Sequence, residues 1–186
     1  MASRKKSKSS RAKSTSRRSR GPLDAVTLLK NDHREVETYF EQFEKTRSAE
    51  RKAKLAEKIC LALTVHAQIE EEIFYPAFIE ATEEEDLHHE AVIEHDGAKK
   101  LIAEIQGSSP DDDYFDARVT VLSEMIKHHV KEEEQRDGMF AKAKQSEMDL
   151  DALGEQLATR KAELMGDAGG GRQGRRGRGA GAAAAM

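Results

Sequence analysis

The sequence predicts an all-α chain: an antiparallel up-down four-helix bundle with a short C-terminal fifth helix and disordered basic tails. Three observations carry this expectation. Helix formers dominate a composition that has no Trp and only three Pro. Four long stretches space their apolar residues three and four apart, the period of a helix face. Each of those stretches also carries a histidine in the middle of its apolar stripe. At 186 residues the chain has room for one domain with a core, plus appendages. No apolar run reaches the roughly 18 residues that crossing a membrane requires, so a membrane partner is excluded.

The net charge of -4 conceals a segregation of sign. Residues 1–22 hold nine Lys or Arg and no acid, and residues 166–186 hold four Arg and one Asp, which leaves the middle of the chain strongly acidic. The expected organisation is a disordered Ser/Lys/Arg tail over 1–22, a bundle domain over 23–165 and a disordered Gly/Arg/Ala tail over 166–186. An acidic core does not bind nucleic acid by itself. The tails offer a weak, sequence-independent contact through counterion release, against the plainer role of solubilising the chain. A secretory signal is excluded by the missing apolar segment, and a cytoplasmic location follows. Cys60, the lone cysteine, lies on an apolar helix face and reads as an inert buried thiol.

Pro22 suits the first turn of a helix running to about Thr46, with Val26, Leu29, His33, Val36, Phe40 and Phe43 on one face. Ser48 starts a second helix that ends near Thr82; Ile59, Leu63, Ile69 and Ile73 make its apolar stripe, and Pro76 predicts a kink or local irregularity. A third runs from about Glu84 to Gln106, with Val92, His95, Ala98, Ile102 and Ile105 facing in and Gly107 as its stop. Residues 108–113 form a turn and an acidic N-cap for a fourth helix, from about Tyr114 to Lys144. In an unbroken helix Arg136 would face inward, so a bulge near Gln135 to Gly138 is expected to return Met139 and Phe140 to the core. Leu150, Leu153, Leu157 and Leu164 mark the fifth helix, covering one end of the bundle.

The second and fourth helices share a construction. His66 and Glu70 lie one turn apart inside an apolar stripe, and so do His129 and Glu133. An unpaired carboxylate buried there costs several kcal/mol, so a cation is expected to meet it. The separation of His33 from His66 is 33 residues and that of His95 from His129 is 34, which makes each half of the chain a helical hairpin of the same design. One His-x-x-x-Glu in so acidic a chain is weak evidence, and an inward histidine is ordinarily a hydrogen-bonded core residue. The set of four histidines and two glutamates, one hairpin echoing the other, is what points to metal. Imidazole and carboxylate without thiolate suit iron, manganese or zinc, and six protein ligands suit two ions better than one zinc. The expected ligands are His33 and His66 on one side and His95 and His129 on the other, with Glu70 and Glu133 bridging a dinuclear non-haem iron site. His128 is an alternative to His129. His88 and His89 are expected near the bundle end and in solvent, and Glu37, Glu71 and Glu94 are reserve carboxylates for an open position or for orienting ligands.

The segments AspHisArgGluValGlu at 32–37, HisAlaGlnIleGluGluGluIlePheTyrPro at 66–76, IleGluHisAspGly at 93–97 and HisHisValLysGluGluGlu at 128–134 resemble the hemerythrin-like, or HHE cation-binding, domain, whose pattern is H, HxxxE, H, HxxxE. The resemblance implies a four-helix bundle with two iron ions, oxo- or hydroxo-bridged, that meets dioxygen or another small diatomic ligand. Oxygen-carrying members have a second histidine on the third helix, whereas Ala91 and Lys99 stand one turn either side of His95 here. One iron is then short of a protein ligand, which favours sensing, iron handling or stress chemistry over oxygen transport. The alternatives are an enzyme that decomposes peroxide or reduces nitric oxide with the same centre, and a metal-free helical module tethered to nucleic acid by the tails. Oligomeric state is open.

Overall fold

The computed structural model of the chain describes residues 23–174. Every regular element among them is helical: α1 (Ala25–Lys45), α2 (Ala49–Ile69), a π-turn (Glu70–Phe74), α3 (Tyr75–Thr82), α4 (Glu85–Gln106), α5 (Phe115–Glu134), α6 (Met139–Gln145) and α7 (Leu150–Gly174). The expected bundle is present. Helix α1 packs on α2, α2 on α4, α4 on α5 and α5 back on α1, which closes a four-sided ring. The tail at 1–22, Pro22 with it, and residues 175–186 lie outside the described residues.

The helix ends follow local chemistry. Asp24 caps the start of α1, its side chain accepting from the Thr27 amide at 2.9 Å. Ser48 caps α2 in the same way through the Arg51 amide. Gly107 ends α4 as expected. The acidic turn at 108–113 does not cap α5 directly, because Tyr114 stands at that position; Asp112 instead accepts from the Tyr114 amide at 2.8 Å.

The irregularity anticipated at Pro76 lies one turn earlier. Pro76 has no amide hydrogen and its ring would strike the carbonyl four residues before it, so the chain widens into the π-turn, where the Tyr75 amide bonds the Glu70 carbonyl five residues back. The widening changes which residues face inward. Phe74, Tyr75 and Phe78 are buried, and Ile73 is only half-buried. A second break corrects the fourth helix. It ends at Glu134 instead of running through a bulge to Lys144, and after an extended Gln135 the chain restarts as α6. Met139 and Phe140 enter the core and Arg136 stays exposed, so the break does what the expected bulge was meant to do.

Two apolar layers result. One gathers Phe40, Phe43, Ile59, Leu63, Ile102, Phe115 and Leu122; the other gathers Leu29, Ile69, Phe74, Phe78, Met139, Phe140 and Leu157. Each such side chain contributes about 1.5–3 kcal/mol on burial. Between the layers runs a band of buried polar residues. Helix α7 packs on α1, α2 and the π-turn and continues through Gly174, past Met165, where the sequence placed the start of a flexible tail. Its contact is close: a Cβ on Gly154 would lie 2.1 Å from the Leu23 carbonyl oxygen.

Candidate metal centre

All six residues singled out in the sequence fall in the polar band, and all are buried: His33, His66, Glu70, His95, His129 and Glu133. Each helix of the ring places its histidine on the core stripe between two apolar neighbours, so the imidazoles have nowhere to point but inward. They pair by hairpin. The Nε2 atoms of His33 and His66 lie 3.0 Å apart, and those of His95 and His129 lie 3.3 Å apart. The glutamates join the pairs: Glu70 Oε2 is 3.3 Å from His66 Nε2 and 3.5 Å from His95 Nε2. Glu133 Oε2 is likewise 3.4 Å from His33 Nε2 and 3.6 Å from His129 Nε2. Two overlapping groups of donors arise, His33, His66, Glu70 and Glu133 in one and Glu70, His95 and His129 in the other, with the donor atoms of each within 4.8 Å of one another.

The donor set fits metal ions. Glu70 Oε1 and Glu133 Oε2 are buried without a hydrogen-bond partner, an arrangement that costs free energy unless a cation meets them. The two carboxylates titrate as a pair. Burial and the charge of Glu70 push the Glu133 carboxyl up; burial acts on Glu70 in the same sense, but the His66, His95 and His129 charges outweigh it and hold that carboxyl down. Burial pushes His33 down to about 4 against the pull of Glu134. At His66 burial opposes protonation, yet Glu70 and Asp32 hold the imidazole up at about 10. Two cations in place of these shared protons would satisfy both carboxylates and all four Nε2 atoms together.

Three of the four far imidazole nitrogens are hydrogen-bonded to carboxylates, and the fourth, on His66, has a carboxylate within ion-pair range only. His33 Nδ1 lies 2.8 Å from Glu134 Oε1, His95 Nδ1 2.8 Å from Glu71 Oε1, and His129 Nδ1 2.7 Å from Glu94 Oε2. His66 Nδ1 is 3.6 Å from Asp32 Oδ2, and Lys161 of α7 anchors that Asp through its other oxygen at 2.5 Å. Such carboxylates fix the ring orientation and tautomer that a metal-ligating histidine needs. Their order is cyclic: α1 supplies the acid for the α2 histidine, the π-turn after α2 for α4, α4 for α5, and α5 for α1. Glu71 and Glu94 were foreseen in this role, whereas Asp32 and Glu134 were not. Each acid stands next in sequence to a band residue of its own helix, which was the available signal. Glu37 is not part of the site and pairs with Arg34 at the surface.

Tyr75 is the other residue that sequence reasoning missed. Its hydroxyl is 3.2 Å from His95 Nε2, 3.3 Å from Glu133 Oε1 and 3.5 Å from Glu70 Oε2. The π-turn puts it there, and Ala91, one turn before His95, belongs to the same buried cluster. Burial, with the neighbouring carboxylates, keeps the phenol protonated far above its ordinary range. His128 points outward with its side chain 63% exposed, between Glu94 and Glu132, so His129 is the inward member of that pair. His88 is half-buried with its ring against Tyr75, and His89 is exposed.

On the side of the band away from Tyr75 lies a cavity of about 230 Å³ that reaches His33, His66, His95 and His129 and is walled mostly by aliphatic side chains.

The family description "Hemerythrin HHE cation binding domain" matches residues 24–141, more than half the chain. The chain belongs to this family. The HHE domain is similar in structure to a hemerythrin HHE cation binding domain-containing protein from Mycobacterium kansasii, with a TM-score of 0.67 and 25% identity over 85% of this chain and 95% of that one. In sequence it is 28% identical over 112 residues to a Nostoc protein named DNA nickase, covering 60% of this chain. The chain spans about a third (32%) of that relative's length. Cation binding by an all-helical HHE domain is therefore the function class shown. No helix among the described residues is long and apolar enough to cross a membrane.

Proposed function

We propose that the chain is a non-haem di-iron protein that binds or senses dioxygen or a related small ligand such as nitric oxide or peroxide. The observation that carries this reading is the convergence of four Nε2 atoms and two carboxylates in one buried band, with an apolar cavity against the same histidines. His33 and His66 would hold one ion, His95 and His129 the other, with Glu70 and Glu133 shared. Ferrous ions bound there would supply electrons and coordination positions for a small oxygen- or nitrogen-containing ligand. The chain's own residues do the rest: the four outer carboxylates orient the imidazoles, and aliphatic side chains line the approach to them. Tyr75 holds a proton at its hydroxyl beside His95 and Glu133. The buried lone thiol, pushed up to about 11 by burial, has no role in this chemistry and suits a reducing cytoplasm.

Metal analysis with an optical spectrum tests the proposal. The full chain, purified aerobically with iron supplied, is expected to hold about two irons and to show near-ultraviolet charge-transfer absorption that bleaches on reduction. Iron-replete protein with neither property would remove the reading.

A second reading is a nucleic-acid contact, at which the name of the DNA nickase relative hints; the basic tails are the part of the chain whose charge suits it. Retention on immobilised duplex DNA is expected to fall steeply with salt and to be lost when residues 1–22 are deleted. Retention that survives the deletion would assign the contact elsewhere.

A further inference from the structure

The cavity is larger than a diatomic ligand needs. At about 230 Å³ it exceeds the roughly 150 Å³ apolar cavity that suffices for benzene. Its shape follows from helix periodicity. From the histidine band its walls descend through Val36 and Tyr39 on α1, Ala62 and Lys58 on α2, Ala98 and Ile102 on α4. The step from His66 to Lys58 is two turns, about 12 Å at the helix rise. The lining therefore runs about that length along the helices, room for an extended alkyl chain of medium length.

The ionic groups around the cavity are occupied. Lys99 pairs with Glu71 at 2.7 Å, Lys161 pairs with Asp32 at 2.5 Å, Glu35 accepts from the Tyr39 hydroxyl at 2.5 Å, and the Lys58 ammonium lies over the Tyr39 ring. The lining therefore favours a neutral molecule over an anion.

We infer that this cavity binds a neutral, medium-chain alkyl compound, its chain along the aliphatic wall and its polar end at the histidine band. The inference rests on the di-iron reading only for what meets that polar end; the wall belongs to the apoprotein as well.

Straight-chain primary alcohols from butanol to dodecanol are the probes, titrated into the metal-loaded full chain and followed by the methyl resonances of Val36, Ala98, Ile102 and Ile126. Affinity is expected to rise about fourfold per added methylene and to level off near eight carbons. In the same chain stripped of metal, where no cation attracts a carboxylate, octanoate is expected to bind at least tenfold more weakly than octanol. Filling the wall with Ala98→Leu should abolish the chain-length dependence while metal content and helix content stay unchanged. Three results would overturn the inference: no dependence on chain length, octanoate binding the metal-free chain as tightly as octanol, or a folded Ala98→Leu variant that binds like the parent. The alcohol series on the parent decides the matter even if the variant fails to fold. Iron is measured in the same samples, so protein that holds metal but no alcohol sinks this inference alone, and protein that holds alcohol but no metal sinks the di-iron reading alone.

Discussion

Replacing Glu70 with Gln is expected to empty the metal site while leaving the bundle folded. One oxygen of Glu70 faces both halves of the centre, 3.3 Å from His66 Nε2 and 3.5 Å from His95 Nε2, so the substitution removes the charge that both ions would share. Gln keeps the shape but turns an acceptor into a donor toward the cations. Iron content should fall from about two per chain to well below one. Melting separates this from simple unfolding. Metal bound at a thousandfold excess over its dissociation constant stabilises by about 4 kcal/mol, which for a chain of this size raises the melting temperature by roughly 8–16 °C. Chelation should therefore lower the parent's melting temperature by that amount and leave the Gln variant's nearly unchanged. Stripped of metal, the two proteins should melt within a few degrees of each other, because Gln fills the same space and, although burial still pushes the Glu133 carboxyl up, loss of the Glu70 charge lets it ionise more readily beside the histidines. A Gln variant that keeps two irons, or one that melts far below the metal-free parent, contradicts the assignment.

What the chain's letters reveal and what they hide follows from where the helical period holds. On α1 it holds throughout, and the six residues expected on the inner face, Val26 to Phe43, are all buried. It holds also on either side of His66, His95 and His129, which is why the six members of the band are legible in the sequence. It fails after Glu70. There the π-turn advances the phase and brings Tyr75 to the site in a position that regular spacing assigns elsewhere; only Pro76 hinted at it. On α4 the small error of preferring Val92 to Ala91 has the same kind of origin, since Ala91 faces the cluster that Tyr75 enters. The outer acids were partly hidden for another reason. A carboxylate beside a ligand in sequence lies about a quarter-turn around the helix, and its partner is a histidine on the next helix, so only the order of packing says which pair forms.

Gly138→Ala is expected to be among the most destabilising single-methyl additions available to the chain, and to weaken metal binding from a position that meets only the backbone of the band, not its donor atoms. Glycine is required by a close approach and not by an unusual dihedral, since its φ is -77°. A Cβ there would lie 2.1 Å from the Glu132 carbonyl oxygen and 2.8 Å from that of Glu133, and both are backbone atoms that cannot swing aside. Either the last turn of α5 must move or α6 must detach. The first displaces Glu133 from the band and Glu134 from His33; the second withdraws Phe140, whose ring stacks on His33 at 5.7 Å. Overpacking against backbone costs about 3 kcal/mol, roughly 6–12 °C of melting temperature in a chain this long. Gly107→Ala supplies the control. Its nearest contact would be 3.4 Å, ordinary van der Waals distance, so it should cost under about 1 kcal/mol and leave iron content unchanged. Calorimetry and iron analysis on both variants decide the point. Equal melting of the two, or a Gly138→Ala protein with full iron content, would mean that the break between α5 and α6 yields easily and does not hold Glu133 and Glu134 in place.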